Sequence, residues 1–379
     1  MRLLVVTNDL SQGGAEKLLV SSLTILKQKQ LHVELLLLNA KDSVPDYLVT
    51  LRNAGIVIHD LRMASFYSPI SIRRIQSFLK LNRFDIVHVH LFPSLYWAAI
   101  ARLFVNVKPL LVYTEHSTQN KRRSKIYFRP VERLVYKLYS AIIAITENVK
   151  QNLDDWTGQG KKITTIQNGV ALESIRSANA TDRALLCSEL GIPSDSKLLL
   201  MAASFRYPKD QGTIIKACQL LGNKYHILLA GEGDLLESVR ALAVSCNVSE
   251  QVHFLGFRTD IAILMKSVDI NILSSSYEGM SGVTLESLAA GVPFLGSDVP
   301  GIHDIVPNEL FLFNPGSEKE LSEKILMIFE DAELQKKMVS QATSYVKNFD
   351  MELMADKYIA LYNTLLAKKH KRIIDNQSV

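Results

Sequence analysis

The stretch Glu278-Gly-Met-Ser-Gly-Val-Thr-Leu-Glu286 runs straight into Ser-Leu-Ala-Ala-Gly291-Val-Pro293. Its two carboxylates bracket a Gly-rich turn and the start of an apolar, helix-forming run. A helix start presents backbone N–H groups and the positive end of the helix dipole, where phosphate binds well. Glu278 therefore falls on the loop before the helix and Glu286 about two turns further along the chain. Ser281, Gly282 and Val283 supply the amides between them. Such a site suits a nucleotide sugar, with its anion on the amides and its hydroxyls on the carboxylates. A glutamate pair at this spacing also occurs on solvated helix faces, so its surroundings carry the reading.

Those surroundings are α/β. Short Leu- and β-branched-rich runs at residues 3–7, 33–38, 86–90, 110–114 and 141–145 alternate with helix-length amphipathic stretches such as 15–29 and 70–81. That rhythm predicts a doubly wound parallel sheet. It restarts at 198–202, 225–230, 252–255, 270–274 and 294–296, after the turn signal Asn168-Gly169. The expectation is two domains, 1–168 and 169–349, which suits a chain of 379 residues. A last helix over 351–368, with Leu353, Tyr358, Leu361, Tyr362 and Leu365 as its apolar residues, is expected to cross back onto the first domain.

Composition excludes several classes. An apolar content of 47% with 21% charged residues describes a globular protein and not a disordered one. No apolar run reaches the roughly 18–20 residues of a membrane span, and the start reads as a strand, not a signal peptide. Cys187, Cys218 and Cys246 lie far apart, which fits a reduced cytosolic compartment without a disulfide framework or zinc site. Residues 1–170 carry 23 Lys and Arg against 12 Asp and Glu, an excess of +11; the remainder carries 20 against 26, or −6. The basic-aromatic stretch Asn120-Lys-Arg-Arg-Ser-Lys-Ile-Tyr-Phe-Arg129 adds to this excess. Such a patch attracts phosphates or anionic headgroups, or is simply a solvated face. No nucleic-acid module accompanies it, so a pyrophosphate-bearing substrate or a membrane surface is expected instead of nucleic acid. The tail Lys368-Lys-His-Lys-Arg372 reads as a frayed terminus or a lipid contact.

Further motifs fall at strand ends. Gly13-Gly14-Ala-Glu16 opens a helix after the first strand, where adjacent glycines let a ligand approach the backbone. His88 and His90, two apart, share a strand face and suggest either a metal pair without an evident third ligand or a hydrogen-bonded strand-end pair. His116 follows a strand's carboxyl end, where doubly wound sheets place ligands. Ser204-Phe-Arg206-Tyr-Pro-Lys209 supplies cations suited to a leaving diphosphate. Gly231-Glu-Gly233 and Gly256-Phe257 are strand-end loops, and Gly301-Ile-His-Asp304-Ile-Val follows the glutamate segment.

Taken in this order, the motifs resemble those of retaining glycosyltransferases of family 4, from Gly13 to the terminal helix and best over 198–306. One departure stands out: Ser204 occupies the family's usual Arg position, with Arg206 two residues on. Asp304 also replaces the family's Glu. The resemblance implies a GT-B fold, two Rossmann-like domains facing across a cleft, the donor mainly on the second and the acceptor mainly on the first. It further implies that Lys209, Arg206 and the Ser281–Val283 amides hold the diphosphate, and that Gly231, Gly233 and Phe257 line the nucleotide base. Glu286 would clamp the ribose, and Glu278 and His116 would be the catalytic residues: Glu278 to position the sugar or stabilise positive charge developing at its anomeric carbon, His116 to bind a sugar hydroxyl. Gly13 and Gly14 would lie between phosphate and acceptor. No metal or other cofactor is expected, since no Asp-x-Asp is evident. The implied reaction moves a sugar, with retention, from a nucleotide diphosphate to a lipid-linked or surface-polysaccharide acceptor, on a cytoplasmic protein associated peripherally with the membrane. A sugar-nucleotide epimerase of the same fold, or a non-catalytic nucleotide-sugar-binding subunit, remain alternatives.

Overall fold

The structure is a computed structural model that describes residues 1–117 and 122–377. The chain divides into two compact units, Met1–Gly169 with Met351–Val379, and Val170–Asp350. In the first, seven parallel strands take the order β3-β2-β1-β4-β5-β6-β7: β1 (Arg2–Thr7), β2 (His32–Leu37), β3 (Val57–Asp60), β4 (Ile86–His90), β5 (Leu110–Glu115), β6 (Ala141–Ala144) and β7 (Ile163–Thr165). In the second, six parallel strands run β10-β9-β8-β11-β12-β13: β8 (Lys197–Ala202), β9 (Tyr225–Ala230), β10 (Val252–Gly256), β11 (Ile270–Leu273), β12 (Phe294–Ser297) and β13 (Leu312–Phe313).

The central strands are apolar without alternation because crossover helices cover both faces of a parallel sheet. Every residue of β4 is buried, and so are five of six in β1 and β8. The order in which strands are added reverses between β1 and β4 in one sheet and between β8 and β11 in the other. At such a switch point the connections leave in opposite directions and open a crevice at the strands' carboxyl ends. Each expected strand run is present. Three strands were not anticipated: β3, β7 and β13, all at or beside a sheet edge and only two to four residues long.

The terminal helix Met351–Gln377 packs on the first unit, as expected, through Met351, Met354, Ala355, Tyr358 and Tyr362. These join the core around Leu3, Val5, Leu19, Leu23 and Leu35. Its stripe differs from the expected one: Leu353 is 47% exposed, because a position two residues after Met351 lies on the opposite side of a helix. The helix also runs past residue 368 and carries the basic tail on its last turns. Lys29 ties it to the helix Gly14–Gln28 by an ion pair to Asp356, 2.8 Å. Cys187, Cys218 and Cys246 are free thiols. Among the described residues no helix is long and apolar enough to cross a membrane.

Candidate active site

In the second unit, the loop leaving β8 is laced to the loop leaving β11. Lys209 bridges Ser275, Ser276 N donates to Pro208 O at 2.9 Å, and Asp210 N donates to Ser274 O at 3.1 Å. Asp210 then caps the helix Gln211–Leu221 by accepting from Thr213 N. This lacing brings the Lys209 ammonium onto the Glu278 carboxylate as a half-buried ion pair. The expected phosphate cation and the expected sugar-positioning acid are thus direct partners.

Beyond Glu278, Ser281 caps the helix Gly282–Ala289, its Oγ accepting from Thr284 N at 3.2 Å. The Ser281 amide is not open to an anion: it donates to Gly301 O at 3.1 Å. The three-amide expectation therefore narrows to Gly282 and Val283, whose N–H groups have no acceptor among the described residues. Gly301 holds this loop by close approach, since a Cβ there would lie 2.5 Å from Glu278 O. Glu286 sits half-buried one turn into the helix.

Gly231 and Gly233 press on the β8 loop from the end of β9. Both have positive φ, and added Cβ atoms would meet Ala203 O at 2.1 Å and Phe205 O at 2.4 Å. Hydrogen bonds from Phe205 N to Glu232 O and from Gly231 N to Gly256 O stitch three strand-end loops together. Phe257, after β10, is 37% exposed at their margin. Arg206 is exposed, with its stem beside Gly233. Ser204 is also exposed, and its carbonyl accepts from Gln211 Nε2 at 3.0 Å.

In the first unit, three histidines converge. The β4–β5 register pairs His88 with Val112 and His90 with Thr114, so His88, His90, Thr114 and His116 share one face of the sheet. His88 Nδ1 lies 2.7 Å from the Tyr362 hydroxyl and its Nε2 lies 2.7 Å from Thr114 Oγ1. With both ring nitrogens engaged, His88 has no lone pair for a metal, and the hydrogen-bonded reading of the strand pair holds. His90 Nδ1 meets His116 Nε2 at 3.0 Å, so His90 fixes the ring of His116. Burial pushes the imidazoles down, His88 to about 3, His116 to about 4 and His90 well below the usual range. All three are neutral at ordinary pH, and a neutral His116 suits a hydroxyl partner. Gly13 and Gly14 start the neighbouring helix after β1. The Glu16 carboxyl folds back beside Gly13, and burial raises its pKa.

The neutral imidazoles have a consequence for stability. The unfolded chain protonates them near 6.5, whereas the folded chain holds them neutral until the pH is far lower. The unfolded state therefore binds more protons below that point, and stability falls as pH drops from 6.5 towards 4. Above 6.5 these groups contribute no slope. Urea midpoints from pH 7.5 to 5, above most carboxylate titration, should show the decline, with a shallower slope in His88→Asn. A flat profile in wild type would contradict the assignment.

The basic-aromatic stretch behaves differently from a free phosphate patch. Residues 120 and 121 lie outside the described residues. Arg122 is turned inward, where its Nε donates to the fully buried Glu132 at 2.7 Å and its guanidinium stacks on Phe92. Arg123 pairs with buried Glu115, which also accepts from Tyr136 OH. Charge counted along the chain takes no account of these internal carboxylates.

Two family profiles match the chain: Glycosyltransferase Family 4 over residues 12–174 and Glycosyl transferases group 1 over residues 182–345. It is 26% identical over 353 residues to the Campylobacter jejuni N-acetylgalactosamine-N,N'-diacetylbacillosaminyl-diphospho-undecaprenol 4-alpha-N-acetylgalactosaminyltransferase, covering 90% of this chain and 94% of that one. It is 24% identical over 374 residues to the Escherichia coli UDP-Gal:alpha-D-GlcNAc-diphosphoundecaprenol alpha-1,3-galactosyltransferase, covering 94% and 95%. Among solved structures, Anabaena HepE in complex with UDP and glucose superposes with a TM-score of 0.84 at 20% identity, over 96% of this chain and all of that one. The fold is GT-B. With both profiles matched in order along its two halves, the chain belongs to the family 4, group 1 glycosyltransferases.

Proposed function

We propose that this glycosyltransferase moves a sugar from a nucleotide-diphosphate donor, with retention of anomeric configuration, onto a lipid-linked or surface-polysaccharide acceptor. The observation that carries the donor half is the Lys209–Glu278 pair beside the open amides of Gly282 and Val283, at the switch point of the second sheet. Lys209, those amides and Arg206 stabilise the departing diphosphate, so no divalent ion is required. Glu278 aligns Lys209 and the sugar, Glu286 accepts from the ribose hydroxyls, and Gly231, Gly233 and Phe257 border the base. In the first unit, His116 accepts from or donates to a sugar hydroxyl, with Gly13 and Gly14 on the acceptor side. In same-face attack the acceptor's proton passes to the leaving phosphate, so Glu278, paired with Lys209, serves as a positioning group and not as a general base. The acceptor reading is supported by the undecaprenyl-diphosphate-linked acceptors in the names of the Campylobacter and Escherichia relatives. It places the protein at the cytoplasmic membrane face as a peripheral protein.

The test is a panel of UDP- and GDP-sugars with undecaprenyl-diphosphate-linked acceptors, with and without EDTA, and product anomers assigned by NMR. Transfer that is insensitive to EDTA and retains configuration is expected. Absence of both turnover and nucleotide binding across the panel would remove the proposal, and isomerised donor without transfer would point to an epimerase. Glu286→Ala should weaken donor binding about 10- to 100-fold, the loss of hydrogen bonds to a charged acceptor. Unchanged donor affinity, measured calorimetrically, would take the ribose role away from Glu286.

A further inference from the structure

The helix Arg129–Lys137 and the turn Ile126–Phe128 before it are amphipathic in the inverted sense. Their buried side carries Glu132 and Tyr136 as well as Val135. Glu132 is satisfied there by Arg122, by Tyr96 OH at 3.0 Å and by Trp156 Nε1 at 2.5 Å. Their outer side carries Ile126, Tyr127, Val131 and Leu134, exposed by 67, 65, 49 and 67%. Tyr127, Val131 and Leu134 recur at the i, i+4, i+7 spacing that makes one stripe. Packing within the unit does not account for that stripe, since it faces solvent.

The exposed charges that residues 125–137 themselves carry are of one sign. Lys125, Arg133 and Lys137 are exposed, while Arg129 is turned to the carbonyls of Asp155 and Trp156. The sole carboxylate in residues 122–137 is Glu132, and it is buried. An apolar stripe rimmed by cations, with its acid withdrawn inside, complements an anionic interface. A second copy of the same face would set these cations against their equals.

We propose that residues 125–137 form the surface that docks the protein on an anionic phospholipid bilayer, with Tyr127, Val131 and Leu134 entering the headgroup boundary and Arg133 and Lys137 meeting lipid phosphates. This rests on the peripheral reading above and names its surface. It also relocates the contact from Arg122 and Arg123, which are committed internally, to the outward residues that follow them.

The experiment is co-sedimentation of the full chain with phosphatidylglycerol-containing vesicles and with pure phosphatidylcholine vesicles. Wild type should bind the former, with salt sensitivity, and much less of the latter. A Tyr127→Ser, Val131→Ser, Leu134→Ser triple variant should lose about 100-fold in partitioning, given the apolar area removed. Arg133→Gln with Lys137→Gln should lose about thirtyfold on anionic vesicles and little on neutral ones. Both variants should keep the wild-type melting midpoint and transfer to a water-soluble acceptor analogue. Wild-type-like vesicle binding by the triple variant overturns the surface but leaves peripheral association standing. Failure of wild type to bind any vesicle removes both, as does self-association in solution that the triple variant abolishes without any vesicle binding.

Discussion

Lys209→Ala should lower kcat about 100- to 1,000-fold, the usual cost of removing one preorganised charge from a developing anion. The lysine sits on a loop with little freedom: backbone bonds at Pro208 and Asp210 anchor it to the end of β11, and Lys209 itself bridges Ser275. Its ammonium is then aimed by Glu278. The diphosphate acquires charge as the glycosidic bond breaks, so an aimed cation acts mainly on the transition state, not on donor binding. The signature is a fall in kcat exceeding any rise in donor KM. Glu278→Gln should reproduce part of the loss by releasing the lysine. A kcat within threefold of wild type in Lys209→Ala, with an unchanged fold by circular dichroism, would remove Lys209 from the leaving-group role.

Glu132→Ala should cost the first unit about 3–5 kcal/mol, the range for breaking a buried charge pair by deleting one partner. Its carboxylate is wholly buried and receives Arg122 Nε, Tyr96 OH and Trp156 Nε1. Deleting it removes the acceptor that these three donors share, one of them on a guanidinium with only 13% of its side chain exposed. It also frees the helix Arg129–Lys137 from its anchor, so vesicle binding should weaken along with stability. For a unit of this size the expected drop in melting midpoint is about 10 °C. Glu132→Gln, which keeps the shape and one acceptor oxygen, should lose less. A shift below 2 °C by calorimetry in Glu132→Ala would show that the network carries little of the unit's stability.

The order of elements was legible because parallel strands covered on both faces are apolar throughout, as at 86–90 and 198–202. The edge and near-edge strands were not legible for the converse reason. Val57 in β3 is 52% exposed, and β7 has a single buried residue, so neither shows the unbroken apolar run of a covered strand. Glu278, Glu286, Gly231, Gly233 and Lys209 stood out through local chemistry, as acids beside a helix start, glycines at strand ends and a cation before a helix.

What the local pattern lacked was the partner of each group. Lys209 and Glu278 are 69 residues apart and meet only because β8 and β11 are neighbours in the sheet. The acceptor of the Ser281 amide, Gly301 O, lies beyond the next strand. His90 and His116 come together through strand register, and Tyr362 reaches His88 from a helix 274 residues away. Arg122 and Arg123 add to the positive charge of the sequence, yet they are spent inside on Glu132 and Glu115.

Sequence alone thus determined which backbone positions form the strands covered on both faces, which glycines turn the chain and which residue types gather near strand ends. Those properties depend on side-chain size, branching and neighbours within a turn or two. Tertiary structure alone decided which amides stay open, which cations remain outward and which imidazoles are held neutral. Each of those depends on a partner or on burial supplied by a distant segment, and hydrogen bonding and desolvation act through space without regard to separation along the chain.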